Sequence, residues 1–262
     1  MRSLQKITDV TFSQPYGPAQ IYHAPPYKYR NAFSINMLYT IEKNGIVDFL
    51  PPGVELADKD PVISAVVSAY PETPFGVYNE MWFYVRVKFE GKIYMYNPVI
   101  YVDSDSSMAC GREMWGFPKK IAEMQMLHES GKWIFHGRKN GKPLIDVIFS
   151  PETQPGFPSM IGEISYPSLT CRIIPNRLGR GEPDIAQLIT VSNPKTILKD
   201  GFGNDQRWLG AVNITLGELD PTNPVYLFQP KEVLQCWMSY YDADLPEGEL
   251  LYDYKTQSSD IL

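Results

Sequence analysis

Residues 82–89 read WFYVRVKF and residues 92–96 read KIYMY, with Glu90-Gly91 between them. Aromatic and β-branched side chains dominate both runs, and the second half of the first alternates apolar with basic. A two-residue Glu-Gly connection between such runs predicts a β-hairpin. Working outward, residues 132–136 (KWIFH) and 143–149 (PLIDVIF) flank a KNGK turn and predict a second hairpin. Further strand signals fall at 34–41, 62–70, 99–102, 170–174, 184–191 and 206–216. Helical patterns are few. One covers 42–50 and is stopped by Pro51-Pro52-Gly53. Another covers 231–240 (KEVLQCWMSY), where helical spacing puts Val233, Leu234, Trp237 and Met238 on one face. The segment after Trp115-Gly116-Phe117-Pro118 reads as a short helix or as extended chain. No repeat, low-complexity tract or linker interrupts the pattern. The expectation is one α+β domain over residues 1–262, mainly antiparallel β, a sandwich or barrel with two or three helices.

Composition excludes several chemistries. The chain has 262 residues, 44% hydrophobic and 13% aromatic, enough for a core without covalent staples. A net charge of −6 offers no basic footprint for nucleic acid. No apolar run is long enough to span a membrane, and the start, MRSLQKITDVTF, lacks a signal-peptide core, so a cytoplasmic location is expected. The three cysteines (Cys110, Cys171, Cys236) form no CxxC pair. The three histidines (His23, His128, His136) have no metal-ligand spacing, and Asp103 and Asp105 lack a third ligand. No GxGxxG, P-loop or GxSxG motif occurs. The expected chemistry uses no metal, thiol, nucleotide or other cofactor.

Residues 111–120, GREMWGFPKK, hold the only adjacent lysine pair in the chain. Pro118 fixes its own φ and pushes Phe117 toward extended geometry. If the chain continues extended, Lys119 and Lys120 point to opposite faces, one inward and one outward. Burial of an amine disfavours its charged form, and a neutral lysine is a nucleophile able to form a Schiff base with a ketone. Two solvated lysines after a proline turn are the plain alternative.

The segment resembles the active-site stretch of the acetoacetate decarboxylase family, which reads GRE, four variable residues, then PKK. The similarity extends along nearly the whole chain. Pro51-Pro52-Gly53-Val54-Glu55 resembles the family's proline turn, and Tyr78-Asn79-Glu80 a segment whose glutamate lines the pocket. Tyr101-Val102-Asp103 leads into Gly111 without a gap, Arg172-Ile173-Ile174-Pro175-Asn176 resembles the IIPN stretch, and Tyr252-Asp253-Tyr254 the C-terminal YDY. The resemblance implies a closed, mostly antiparallel β-barrel with flanking helices, assembled as a homo-oligomer. It implies Lys119 as the Schiff-base lysine, Glu80 as general acid or base, and Lys120 as a neighbour that tunes charge or points away. Arg112 and Glu113 are read as a pair that braces the lysine segment. Phe117, Trp115 and Tyr252 are candidates to touch substrate or to serve as ordinary core aromatics.

One departure bears on the reaction. The family's decarboxylases carry an Arg and a second Glu in the pocket. Counting without gaps places these positions at Ala32 and Ala65; Arg30 stands two residues from the first, and a two-residue shift on the same strand face makes it a substrate-binding candidate. The implied activity is that of a lysine Schiff-base carbon–carbon lyase on a small oxo acid, by default acetoacetate to acetone and carbon dioxide. A pocket with fewer charges leaves two alternatives: a pyruvate aldolase-dehydratase, and a catalytically silent barrel that binds a small ligand.

Overall fold

In the computed structural model, residues 11–43, 45–192 and 194–256 are described. Residues 1–10, on which most of the signal-peptide argument rests, lie outside them, as does Asn44 within the first predicted helix. Strands β1 (Tyr27–Thr40), β2 (Glu55–Leu56), β3 (Val62–Tyr70), β4 (Tyr78–Phe89) and β5 (Lys92–Val102) come first. Helix α1 (Asp105–Cys110) runs into a π-helical turn, Gly111–Trp115. Then follow β6 (Lys119–Ile121), β7 (Glu123–Glu129), β8 (Lys132–Lys139), β9 (Lys142–Pro151) and β10 (Ser168–Ile174). The chain continues with β11 (Ile185–Val191), β12 (Lys195–Ile197), β13 (Arg207–Leu216), β14 (Glu232–Leu245) and β15 (Glu249–Asp253).

Both predicted hairpins form, as β4–β5 and β8–β9. Their turns hold Glu90-Gly91 and Asn140-Gly141, all four residues at positive φ, as a type I′ connection requires. Ser130-Gly131 makes a third turn of the same kind between β7 and β8.

The strands form one mixed sheet in the order β15-β11-β10-β5-β4-β3-β1-β14-β13-β9-β8-β7, with β2, β6 and β12 attached beside β4, β5 and β14. Most pairs are antiparallel, while β5 pairs in parallel with both β6 and β10. The expected closed barrel is therefore incorrect. β15 and β7 end the order, and no ladder joins them. The sheet bends instead at β13, which pairs with β14 for only Arg207 to Leu209 and then runs along β9 from Gly210 to Leu216. Gly210 makes this crossing possible, since a Cβ there would sit 2.4 Å from the Ser150 carbonyl oxygen. The fold-over encloses a core that includes Phe33, Ile35, Met37, Phe83, Phe149 and Phe228, with Phe83 and Phe228 stacked at 4.3 Å. Burial inside this bend replaces hydrogen-bonded closure.

Two helix expectations also fail. Residues 231–240 belong largely to β14. Cys236 and Met238 pack into the main core, while Trp237, Ser239 and Tyr241 face the opposite side and line a cavity. A strand buried on both faces loses the apolar–polar alternation that identifies strands and mimics a helical stripe. Of residues 42–50, only Ile46–Phe49 turns, as a single 3₁₀ turn behind Gly45 at φ 62°. The segment after Pro118 resolves as extended, in β6.

Candidate active site

Helix α1 begins at Ser104, whose side chain accepts a hydrogen bond from the Ser107 backbone N–H at 3.2 Å. That cap sets the helix and aims the buried Ser107 inward. Two glycines then shape the path to the lysines. Gly116 adopts φ 76° and passes so close to β10 that a Cβ would lie 2.3 Å from the Arg172 Cα. Gly111 gives room of another kind. A Cβ there would stand 2.8 Å from Lys119 Cδ and 2.9 Å from Cε, so the lysine side chain lies across the glycine face.

β6 pairs in parallel with β5, Lys119 opposite Ile100 and Lys120 opposite Tyr101. Extended geometry separates the two amines. Lys119 is buried, and its Nζ donates to Glu80 Oε2 at 3.2 Å and to Ser107 Oγ at 2.9 Å. The rings of Phe117 and Tyr78 lie 5.8 and 5.9 Å from the ammonium. Tyr78 in turn donates to the Tyr29 hydroxyl at 3.2 Å. Burial pushes both tyrosines well above the usual phenol range, so they remain protonated donors. Lys120 points away and donates to the Thr222 carbonyl. Partial burial, with Lys139 nearby, lowers its pKa from the ordinary lysine value.

Lys119 and Glu80 border a cavity of about 690 Å³. It lies on the sheet face opposite the main core. On β4 its wall is the alternate set Tyr78, Glu80, Trp82 and Tyr84. Among the described residues Glu80 is the only carboxylate in the lining.

The other candidate residues separate by position. Phe117 lines the cavity. Arg112 and Glu113 brace the segment individually rather than as a pair. Arg112 Nη1 donates to the Lys119 carbonyl at 3.2 Å, and Glu113 accepts from the Tyr22 hydroxyl. Trp115 is a core residue whose Nε1 donates to the Pro246 carbonyl at 3.1 Å. Tyr252 packs on the main core, 5.7 Å from the Phe89 ring centroid. Arg30 stays outside the cavity. Asn31 at φ 55° forms a bulge in β1, and Arg30 pairs with Asp244 at 2.7 Å on the outer side.

Ala32 does lie in the cavity-side cluster. Ala65 does not: it packs in the main core, and its neighbours Ser64 and Val66 line the cavity. The gapless count thus falls one residue off the relevant face of β3. Sequence reasoning also missed Ser107 and Arg207. Ser104 reads as a helix N-cap, but no motif marks Ser107, whose place beside Lys119 is set by the fold. Arg207 opens an otherwise unremarkable strand, and only its burial against the cavity distinguishes it.

Fold and site together define a class: an open, bent β-sheet holding a buried lysine against one carboxylate in an aromatic cavity. The chain belongs to the acetoacetate decarboxylase (ADC) family, whose pattern matches residues 11–255. It is 26% identical over 235 residues to an acetoacetate decarboxylase of Clostridium botulinum, covering 87% of this chain and 90% of that one. Among solved structures, the acetoacetate decarboxylase of Legionella pneumophila superposes with a TM-score of 0.81 at 24% identity, covering 98% of this chain and 99% of that one. The enduracididine biosynthesis enzyme MppR, complexed with the condensation product of pyruvate and imidazole 4-carboxaldehyde, superposes with a TM-score of 0.76 at 18% identity, covering 94% and 97%. The family is enzymatic and includes decarboxylases. Among the described residues no helix is long and apolar enough to cross a membrane.

Proposed function

We propose that this protein is a lysine Schiff-base carbon–carbon lyase acting on an oxo acid, with decarboxylation of a 3-oxo acid as its reaction. The observation that carries this reading is the buried Lys119 amine, held between Glu80 and Ser107 at the wall of a cavity. Attack on a ketone requires the free amine, and Glu80 at 3.2 Å is placed to take its proton. Nζ then adds to the carbonyl carbon, and loss of water leaves an iminium ion. Glu80 passes the lysine proton to the departing water; the bond to the carboxylate then breaks, its electron pair flows into the iminium, and carbon dioxide departs, leaving an enamine. Glu80, reprotonated from solvent, delivers a proton to carbon. Water adds to the re-formed iminium, releasing the ketone and the lysine. The iminium itself is the electron sink, so these steps call on no cofactor. Ser107 accepts from Nζ and orients the amine.

A second reading is favoured by the single carboxylate of the lining. Without a second Glu to act on a departing carboxylate, the same enamine formed from pyruvate attacks an aldehyde, and water is then lost. Borohydride trapping tests the common step. Acetoacetate or pyruvate with borohydride adds ligand mass to the peptide holding Lys119, and Lys119→Ala abolishes the addition. An unmodified peptide with both compounds at several pH values overturns the Schiff-base reading and leaves a silent ligand-binding protein. Carbon dioxide release from acetoacetate, against an unsaturated oxo acid from pyruvate plus aldehyde, separates the two reactions.

A further inference from the structure

Two further cations line the cavity: Lys195, whose Nζ rests 4.2 Å from the Tyr241 ring centroid and 5.9 Å from that of Trp82, and Arg207. Arg207 at the start of β13 is 6% exposed and lines the cavity, yet its Nε has no hydrogen-bond partner among the described residues. The neighbouring Asp205 is taken by Lys199 at 2.9 Å. The guanidinium carbon lies 5.3 Å from the Phe157 ring centroid. Asp205 still acts on the guanidinium electrostatically, but burial outweighs it and lowers the Arg207 pKa, a cost relieved when an anionic ligand makes a direct ion pair. Two further cavity groups, Trp82 Nε1 and Asn97 Oδ1, are also buried without partners among the described residues. Groups left in that state inside a cavity are those a polar ligand satisfies.

Sheet register places Arg207 relative to Lys119. Glu80 is opposite Ser68, Ser68 opposite Ser34, Ser34 opposite Ser239, and Ser239 opposite Arg207. One row of residues therefore crosses β4, β3, β1, β14 and β13 from the carboxylate that holds Lys119 to the guanidinium. Four strand spacings make roughly 19 Å along the sheet. Its curvature and the reach of both side chains bring the two ends to a single cavity. The cavity wall combines aromatic rings, Trp82, Trp237 and Tyr241 among them, with hydroxyl and amide groups such as Ser239 and Asn36. At about 690 Å³ the cavity falls within the roughly 300–1,000 Å³ typical of drug-sized ligands. A four-carbon oxo acid on Lys119 leaves most of that space and the Arg207 end unused.

We infer that the substrate is an extended oxo acid that carries, beyond the carboxylate beside its reacting carbonyl, a distal carboxylate: the carbonyl sits on Lys119 and the distal carboxylate on Arg207 across a spacer. This rests on the Schiff-base reading above for the carbonyl end alone; the anion end stands on Arg207. The probes are methyl ketones ending in a carboxylate, with spacers from one methylene to eight, and their methyl esters. Half-saturating concentration is read from borohydride trapping on Lys119. The expected result is a minimum at a long spacer for the acids, about ten- to hundredfold below the ester of the same length, as one charge-assisted pair supplies. Arg207→Gln removes the difference between acid and ester, and Arg207→Lys restores part of it. Acids and esters that run in parallel in the wild-type protein overturn the proposal, and this readout needs no variant to fold. So does an acid preference that survives Arg207→Gln. If no ketone is trapped at all, the Schiff-base reading fails separately. Calorimetry with the saturated α,ω-dicarboxylates then decides the anion site: binding that disappears in Arg207→Gln supports it, and absence of binding to the wild-type protein overturns it.

Discussion

Substituting Gly111 by alanine separates the position of the lysine from the stability of the fold. Gly111 has helical geometry, φ −60° and ψ −42°, which alanine adopts without strain. Alanine is favoured over glycine inside a helix by about 0.5–1 kcal/mol. The new methyl would lie 2.8 Å from Lys119 Cδ, whereas carbon atoms rest at about 3.5–4.0 Å. The lysine side chain must therefore move by about 0.7 Å or more. The adjoining cavity gives its outer carbons room to shift, so the backbone is not strained. Its Nζ contacts to Glu80 at 3.2 Å and Ser107 at 2.9 Å are then broken or stretched. Misplacement of a reacting group by 1 Å costs up to about a hundredfold in rate. The expected result for Gly111→Ala is a ten- to hundredfold lower rate of Lys119 trapping, about 1.4–2.7 kcal/mol. The melting temperature shifts by less than about 3 °C. The assay pairs single-turnover borohydride trapping with a thermal melt. Trapping at the wild-type rate would refute the claim that the amine works from the position between Glu80 and Ser107.

Gly116→Ala is expected to fail differently, because alanine at φ 76° costs about 1–2 kcal/mol and its methyl would overlap the Arg172 backbone. Its thermal melt should fall by more than about 5 °C, and a melt unchanged from wild type would contradict the close crossing. Lys120→Ala removes an amine bound to the Thr222 carbonyl rather than to the cavity, so Lys119 trapping is expected within about threefold of wild type. A loss equal to that of Lys119→Ala would instead assign the neighbouring charge a part in activating the amine. Burial pushes the Cys110 and Cys171 thiols up to about 11 and Cys236 up to about 12. At pH 8 a colorimetric thiol reagent should therefore react slowly with the native protein and fully after denaturation, while rapid native reaction at any of the three cysteines would contradict the packing.

Features set by a few consecutive residues were readable in the chain alone. Glu90-Gly91 and Asn140-Gly141 specify their turns because the left-handed conformation is a local preference. That Lys119 and Lys120 face opposite ways follows from a proline and a two-residue period, and the family resemblance picked Lys119 as the inward one. The GRE–PKK pattern carried the family; Lys119 lies across its Gly111, whereas Gly116, outside the pattern, is required by a tertiary crossing with Arg172. Reading failed where both sides of a strand are buried. Residues 231–240 looked helical because Met238 and Trp237 are both apolar, although one faces the core and the other the cavity.

Tertiary pairing decided the rest. Closure of the sheet depends on whether its two end strands meet, and the bend at β13 directs them elsewhere. The bulge at Asn31 turned Arg30 outward, and the register of β3 put Ala65 in the core, so residue counting could not locate the pocket charges. Glu80 stands 39 residues before Lys119, and Ser107 stands 12 before it. Arg207 reaches the same cavity through four successive strand pairings. By itself the sequence determined the local backbone, the family and the nucleophile candidate. Which carboxylate, hydroxyl and guanidinium share a cavity with that lysine depends on long-range register, where each pairing shifts the next.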